Sequence, residues 1–149
     1  MLSKRTISIF GIVVCFFFFS LTTIRAADTT SQVIGYIDEI LKENPLPPGE
    51  KAQTITIAQD NTISLLVLRA VEGVVIKSHL HKTHDETVYV IKGTGQMLVN
   101  DKWVDIKPGT LHFNPMGKVH STKVTGNEPL VVISIFTPAM KELDRHFVQ

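Results

Sequence analysis

HLHKTHDETVYVIKGTG, residues 79–95, carries three histidines and two adjacent acids within its first eight positions, directly ahead of a run patterned like a β-strand. Successive side chains of a strand point to opposite faces, so His79 and His81 face one way and Leu80 the other. Two imidazoles at that spacing can meet one ion. Glu86 follows after a short connection, and a hairpin is expected to bring it back beside the histidines. It shares a face with Val88 and Val90, which puts one carboxylate at the mouth of an apolar interior. An unpaired carboxylate there is costly to bury, and a bound cation removes that cost.

A fourth group comes from GTLHFNPMGKVHSTKV, residues 109–124, where the PMG turn separates two strands and His120 begins the second. Three imidazole nitrogens and one carboxylate oxygen form a borderline-hard donor set. It suits a single divalent transition metal (Fe, Mn, Co, Ni or Zn) and disfavours Cu(I). On an octahedral ion, four protein ligands leave two positions open for a substrate or dioxygen.

The surrounding chain reads as all-β. From Ala52 onward, short runs rich in Val, Ile and Thr alternate with turn signals: QTITIAQ then DN, TISLLVLRA then EG, TVYVIK then GTG, QMLV then ND, WVDIK then PG. TLHFN then PMG, HSTKV then TGNEP and a final LVVISIF complete the series. Many short strands at regular spacing indicate a sandwich or barrel. The ND and TGN turns favour antiparallel hairpins over βαβ units. Ahead of the strands, SQVIGYIDEILKEN (31–44) repeats Val33, Ile34, Ile37, Ile40 and Leu41 at helical spacing. One short amphipathic helix is expected there, capped by Ser31, ended by PLPPGE and lying on the outside of the domain. The last stretch, TPAMKELDRHFVQ, is compatible with a helical turn or an extended tail.

These residues resemble the cupins. The first cupin motif, G-x5-HxH-x4-E-x6-G, is met by Gly73, His79, His81, Glu86 and Gly93. The second, G-x5-PxG-x2-H-x3-N, is met by Gly109, Pro115, Gly117 and His120, with Val124 where Asn is expected. The resemblance implies a double-stranded β-helix, or jelly-roll barrel, with metal held by His79, His81, Glu86 and His120. It also implies pairing of protomers into homodimers through edge strands, and dioxygenase or isomerase chemistry among the family's frequent uses. Val124, four residues past His120, points inward and replaces a possible polar contact without removing a ligand.

Other polar residues have plainer readings. His84 lies in the connection between strands, where a solvated histidine is the more ordinary outcome and support of a metal ligand the alternative. Asp85 serves a turn, and His146 has no evident partner. In TLHFN either His112 and Asn114 or Leu111 and Phe113 face the interior; burial preference favours the apolar pair. Met97 and Val99 share a face and are expected to pack in the core. Of the groups that could act beside the open coordination positions, only His84 and His112 stand out. A non-catalytic metal- or small-ligand-binding module of the cell envelope is therefore the alternative to a metal-dependent enzyme acting on a small molecule.

Composition sets the compartment. In the 149-residue chain, Met1–Ala27 has the pattern of a secretory signal peptide. Lys4 and Arg5 precede an apolar run, Ile7–Leu21, which falls short of the roughly 20 residues that span a bilayer, and small residues mark cleavage after Ala26 or Ala27. The expected division is a signal peptide (1–27), a helix and linker (28–51) and the barrel (52–149), with the product periplasmic or secreted. Removing the signal takes the single cysteine, Cys15, so no disulfide is available. It also takes Lys4, Arg5 and Arg25, leaving 12 basic against 14 acidic residues. No basic patch remains for nucleic acid or an anionic membrane, and the expected partner is a small molecule.

Overall fold

A computed structural model describes residues 32–148. The signal segment and Ser31 lie outside the described residues. Among the described residues, ten strands form two five-stranded antiparallel sheets that face each other, the arrangement expected of a jelly roll. The strands are β1 (Ala52–Gln59), β2 (Ser64–Ala70), β3 (Val75–Leu80), β4 (Asp85–Lys92) and β5 (Gly95–Val99), followed by β6 (Lys102–Ile106), β7 (Leu111–Asn114), β8 (His120–Val124), β9 (Leu130–Thr137) and β10 (His146–Phe147). One sheet has the order β1-β2-β9-β4-β7 and the other β10-β3-β8-β5-β6. The alternation that predicted strands also predicted the core. Val88, Val90, Leu130 and Val132 from the first sheet meet Met97, Ile106 and Val124 from the second, with Val99 packed against them.

Few of the expected hairpins form. β1 pairs with β2, and β5 with β6 across Asn100 and Asp101, both at positive φ as a tight two-residue turn requires. The other connections of the barrel cross from one sheet to the other. β3 and β4 lie in different sheets, as do β4 and β5, β6 and β7, β7 and β8, and β8 and β9, the last pair being the one joined by TGN. The hairpin expected to return Glu86 to the histidines is thus a crossing between facing sheets. Some glycines of the two motifs make these crossings possible. Gly93 has φ +77°, and a Cβ there would stand 2.6 Å from the Pro129 carbonyl oxygen. Gly117, at φ +76°, lets the PMG turn fold back so that its N–H donates to the His81 carbonyl at 2.7 Å.

The N-terminal helix is shorter than its apolar spacing suggests. α1 spans Ile37–Glu43 with Tyr36 at the N-cap position, so Val33 and Ile34 are exposed and non-helical. Isolated helix starts are weak, and only the turns that rest on the barrel are held. Arg69 provides that hold, donating to the Asn44 carbonyl at 2.8 Å and to Gln53 Oε1 at 2.7 Å. No helix among the described residues is long and apolar enough to cross a membrane. The C-terminal stretch is extended: β10 pairs with the edge of β3, setting His146 opposite Leu80 and Phe147 opposite His79.

Candidate metal centre

His79 and His120 sit opposite each other on β3 and β8, and His81 follows just beyond the end of β3. One nitrogen from each of these buried imidazoles lies within 4.8 Å of the others. Glu86 reaches the same point from β4 in the facing sheet, its Oε2 3.2 Å from His120 Nε2 and 3.8 Å from His81 Nε2. Metal–ligand bonds of about 2.1 Å hold neighbouring donor atoms about 3.0 to 3.4 Å apart at octahedral to tetrahedral angles. The three histidines form the compact group, and Glu86 approaches two of them, His120 at about that spacing and His81 somewhat beyond it.

Hydrogen bonds determine which nitrogen each histidine presents. Nδ1 of His79 faces the Lys77 carbonyl at 2.8 Å, Nδ1 of His120 the Lys118 carbonyl at 3.1 Å, and Nδ1 of His81 the Asp144 carbonyl. A carbonyl can only accept, so each Nδ1 carries the proton and each Nε2 keeps its lone pair. Nε2 of His81 and of His120 is buried with no hydrogen-bond partner. Buried polar atoms are rarely left so, and a coordinated cation supplies what is missing. The three-histidine cluster and its carboxylate thus fit a divalent metal.

Electrostatics agree. Burial disfavours protonation of His79 and outweighs the opposing Lys77 carbonyl, holding its pKa at about 4. His81 is lowered for the same principal reason. Burial alone would raise the Glu86 carboxyl, but a proton carried by His120, through its hydrogen bond and charge, then charge on His81 and the Ser134 hydroxyl prevail and hold it at about 2. A bound cation would take over the role of that positive charge, leaving the imidazoles neutral and the carboxylate ionised, the forms that ligation requires.

Three of the plainer readings are corrected. In β7, Asn114 is buried and His112 half-buried, while Leu111 and Phe113 are 69% and 56% exposed. Register decides this: Glu86 pairs with Asn114 and Val88 with His112, so the polar pair shares the inward face. Asn114 Nδ2 donates to Glu86 Oε2 at 3.0 Å, and His112 Nε2 donates to Asn114 Oδ1, so both stand behind the carboxylate. His84 is not solvated but 7% exposed, its Nδ1 2.7 Å from Asp144 Oδ2. His146 does have a partner, Asp144 Oδ1 at 2.9 Å. Asp85 serves a turn other than its own, accepting from the Met116 N–H of the PMG turn at 2.7 Å. Val124 is a core residue, as its inward orientation required.

Asp144 had no signal in the sequence. Its carbonyl orients His81, and its carboxylate accepts from Thr83 N–H at 2.8 Å, Thr83 Oγ1 at 2.7 Å and the two histidines just named. Burial would raise its pKa, but the bonds from His84 and Thr83 outweigh this and hold the carboxyl far below its ordinary range. The segment it anchors borders a cavity of about 410 Å³ that opens beside His81 and Glu86. Leu66, Leu68 and Phe136 supply apolar wall, and Thr54, Thr56 and Gln59 of β1 a polar one.

Comparison with known proteins agrees with this architecture. The cupin domain family matches residues 66–136. An uncharacterized protein of Aquifex aeolicus is 30% identical over 103 residues, covering 69% of this chain and 82% of its own length. A glucose-6-phosphate isomerase of Thermococcus onnurineus is 40% identical over 67 residues, 40% of this chain and 35% of that protein. The chain therefore spans about a third of the length of such isomerases. In fold, it resembles a double-stranded β-helix protein of Klebsiella pneumoniae with a TM-score of 0.64 at 22% identity, covering 79% of this chain and 99% of that one.

Proposed function

The chain belongs to the cupin family, and from that premise we propose that it is an exported, divalent-metal-dependent enzyme acting on a small molecule, with dioxygenase- or isomerase-like chemistry. One observation carries the reading. Three histidines, each with Nδ1 committed to a backbone carbonyl, gather one nitrogen apiece within 4.8 Å of one another, two of them close to the Glu86 carboxylate, at the edge of a cavity of about 410 Å³. That volume lies within the range of small-molecule sites.

His79, His81, Glu86 and His120 would hold the metal, which supplies a Lewis acid or a site for dioxygen when bound. The protein's own contribution is preorganisation. Main-chain carbonyls fix the imidazole tautomers, Asn114 and His112 fix the carboxylate, and the apolar wall keeps water from the reacting end of the ligand. The isomerase half of the reading draws on the glucose-6-phosphate isomerases to which part of the chain is similar. Export rests on the basic head and apolar run of Met1–Ala27.

The test is elemental analysis of protein recovered from its native compartment, followed by oxygen-uptake and aldose–ketose interconversion assays. A bound divalent ion and turnover that disappears in His79→Ala are expected. Recovery of protein that takes up no divalent ion refutes the metal centre. Tight small-ligand binding without turnover selects a non-catalytic binding cupin instead.

A further inference from the structure

Arg145 is the one cationic side chain that borders both the large cavity, with His81 and Glu86, and the narrower space behind it, with His79 and His120. Its position is held on both sides in the chain. Asp144 before it is latched to Thr83 and His84, and His146 and Phe147 after it pair with β3. The side chain is half-buried, its Nε is sealed without a hydrogen-bond partner, and among the described residues it makes no ion pair. The sealed Nε has given up water without gaining an acceptor, a cost that a ligand accepting from the guanidinium would remove.

The charge balance points to what completes it. A divalent ion on three neutral imidazoles and one carboxylate retains a net positive charge, and Arg145 adds another in a site partly closed to water. An incoming oxyanion relieves both, since a planar guanidinium offers paired N–H donors matched to carboxylate or phosphate oxygens. Lys141 and Glu142 also line the cavity and offset each other in charge, and the wall of Leu66, Leu68 and Phe136 with Thr54 and Thr56 suits a body less polar than its charged end.

We propose that Arg145 recognises an oxyanion, carboxylate or phosphate, on the small molecule that binds beside the metal centre. This deepens the functional reading above and rests on it for the neighbouring cation. Arg145 is a binding residue, and it acts before any chemistry.

The experiment is calorimetric titration of benzoate, phenyl phosphate and neutral benzamide into wild type, Arg145→Gln and Arg145→Lys, each metal-free and loaded with Zn(II). At least one oxyanion is expected to bind more tightly than benzamide, and Arg145→Gln to weaken it tenfold or more with Zn(II) uptake and melting temperature unchanged. Arg145→Lys is expected to fall between, and reads the same effect should the Gln variant not fold. The tighter of benzoate and phenyl phosphate identifies the anion. Equal oxyanion binding by wild type and both variants, or no preference over benzamide, overturns the proposal while leaving Zn(II) uptake intact. Arg145-dependent binding to a protein that takes up no Zn(II) upholds this proposal and overturns the metal centre instead.

Discussion

Replacing Asp144 tests how the C-terminal segment is held over the site. Its carboxylate accepts from Thr83 N–H, Thr83 Oγ1, His84 Nδ1 and His146 Nε2, at 2.7 to 2.9 Å. Hydrogen bonds to a charged group contribute roughly 1.5–3 kcal/mol each, and losing one partner strands the other. Asp144→Ala would orphan the buried His84 ring and remove the acceptor of the Thr83 amide, which lies on an exposed residue. The carboxylate lies one layer beneath the surface, where water can partly replace it, so the low end of the range applies. We expect a loss of about 3 kcal/mol, which for a domain of this size lowers the melting temperature by about 10 °C. Asp144→Asn keeps an acceptor for Thr83 and should cost about half as much. Metal affinity provides a second readout, because the Asp144 carbonyl orients His81. Loosening the segment should weaken Zn(II) binding by about 10-fold or more in Asp144→Ala, and by less in Asp144→Asn. Thermal and urea denaturation with Zn(II) titration measure both. If Asp144→Ala unfolds within about 1 kcal/mol of wild type and binds Zn(II) equally, the carboxylate does not anchor the segment and the reasoning fails.

Three further outcomes follow from single features of the structure. In metal-free protein His79 titrates at about 4 in place of 6.5, so its contribution to stability is complete above pH 6.5 and is lost as pH falls toward 4. It amounts to about 3 kcal/mol; urea midpoints of wild type should drop across that window and those of His79→Gln should drop less, the remainder coming from His81, whose pKa burial also lowers. Gly93→Ala would place a methyl 2.6 Å from the Pro129 carbonyl oxygen at φ +77°, and a loss exceeding about 1 kcal/mol in chemical denaturation is expected. We also propose that two copies pair through the exposed face of β4 and β7, where Tyr89 lies opposite Leu111 and Phe113 is 56% exposed. Sedimentation should show Leu111→Asp/Phe113→Asp as a monomer with a near-native melting temperature, and a wild type that sediments as a monomer refutes the pairing.

How far the sequence reaches can be seen residue by residue. Period-two alternation and turn residues identified the strands, since both are local properties of the chain. That His79, His81, Glu86 and His120 come near one another was legible because they sit at fixed offsets from glycines of the two motifs, and Val88, Val90 and Met97 were legible as core from the same alternation. The sequence missed what depends on pairing across the fold. Whether two successive strands form a hairpin or cross between sheets is decided by which partner each finds, so TGN joins sheets while ND closes a hairpin. Burial preference turned Leu111 and Phe113 inward, yet pairing of Asn114 with Glu86 turns them out, because a single register sets the face of every residue in a strand. Asp144 and Arg145 were not singled out, and for His84 the sequence favoured a solvated residue over the supporting role. Asp144 lies 60 residues from His84 along the chain, and only packing of the C-terminal segment against the 82–84 connection brings those charges together.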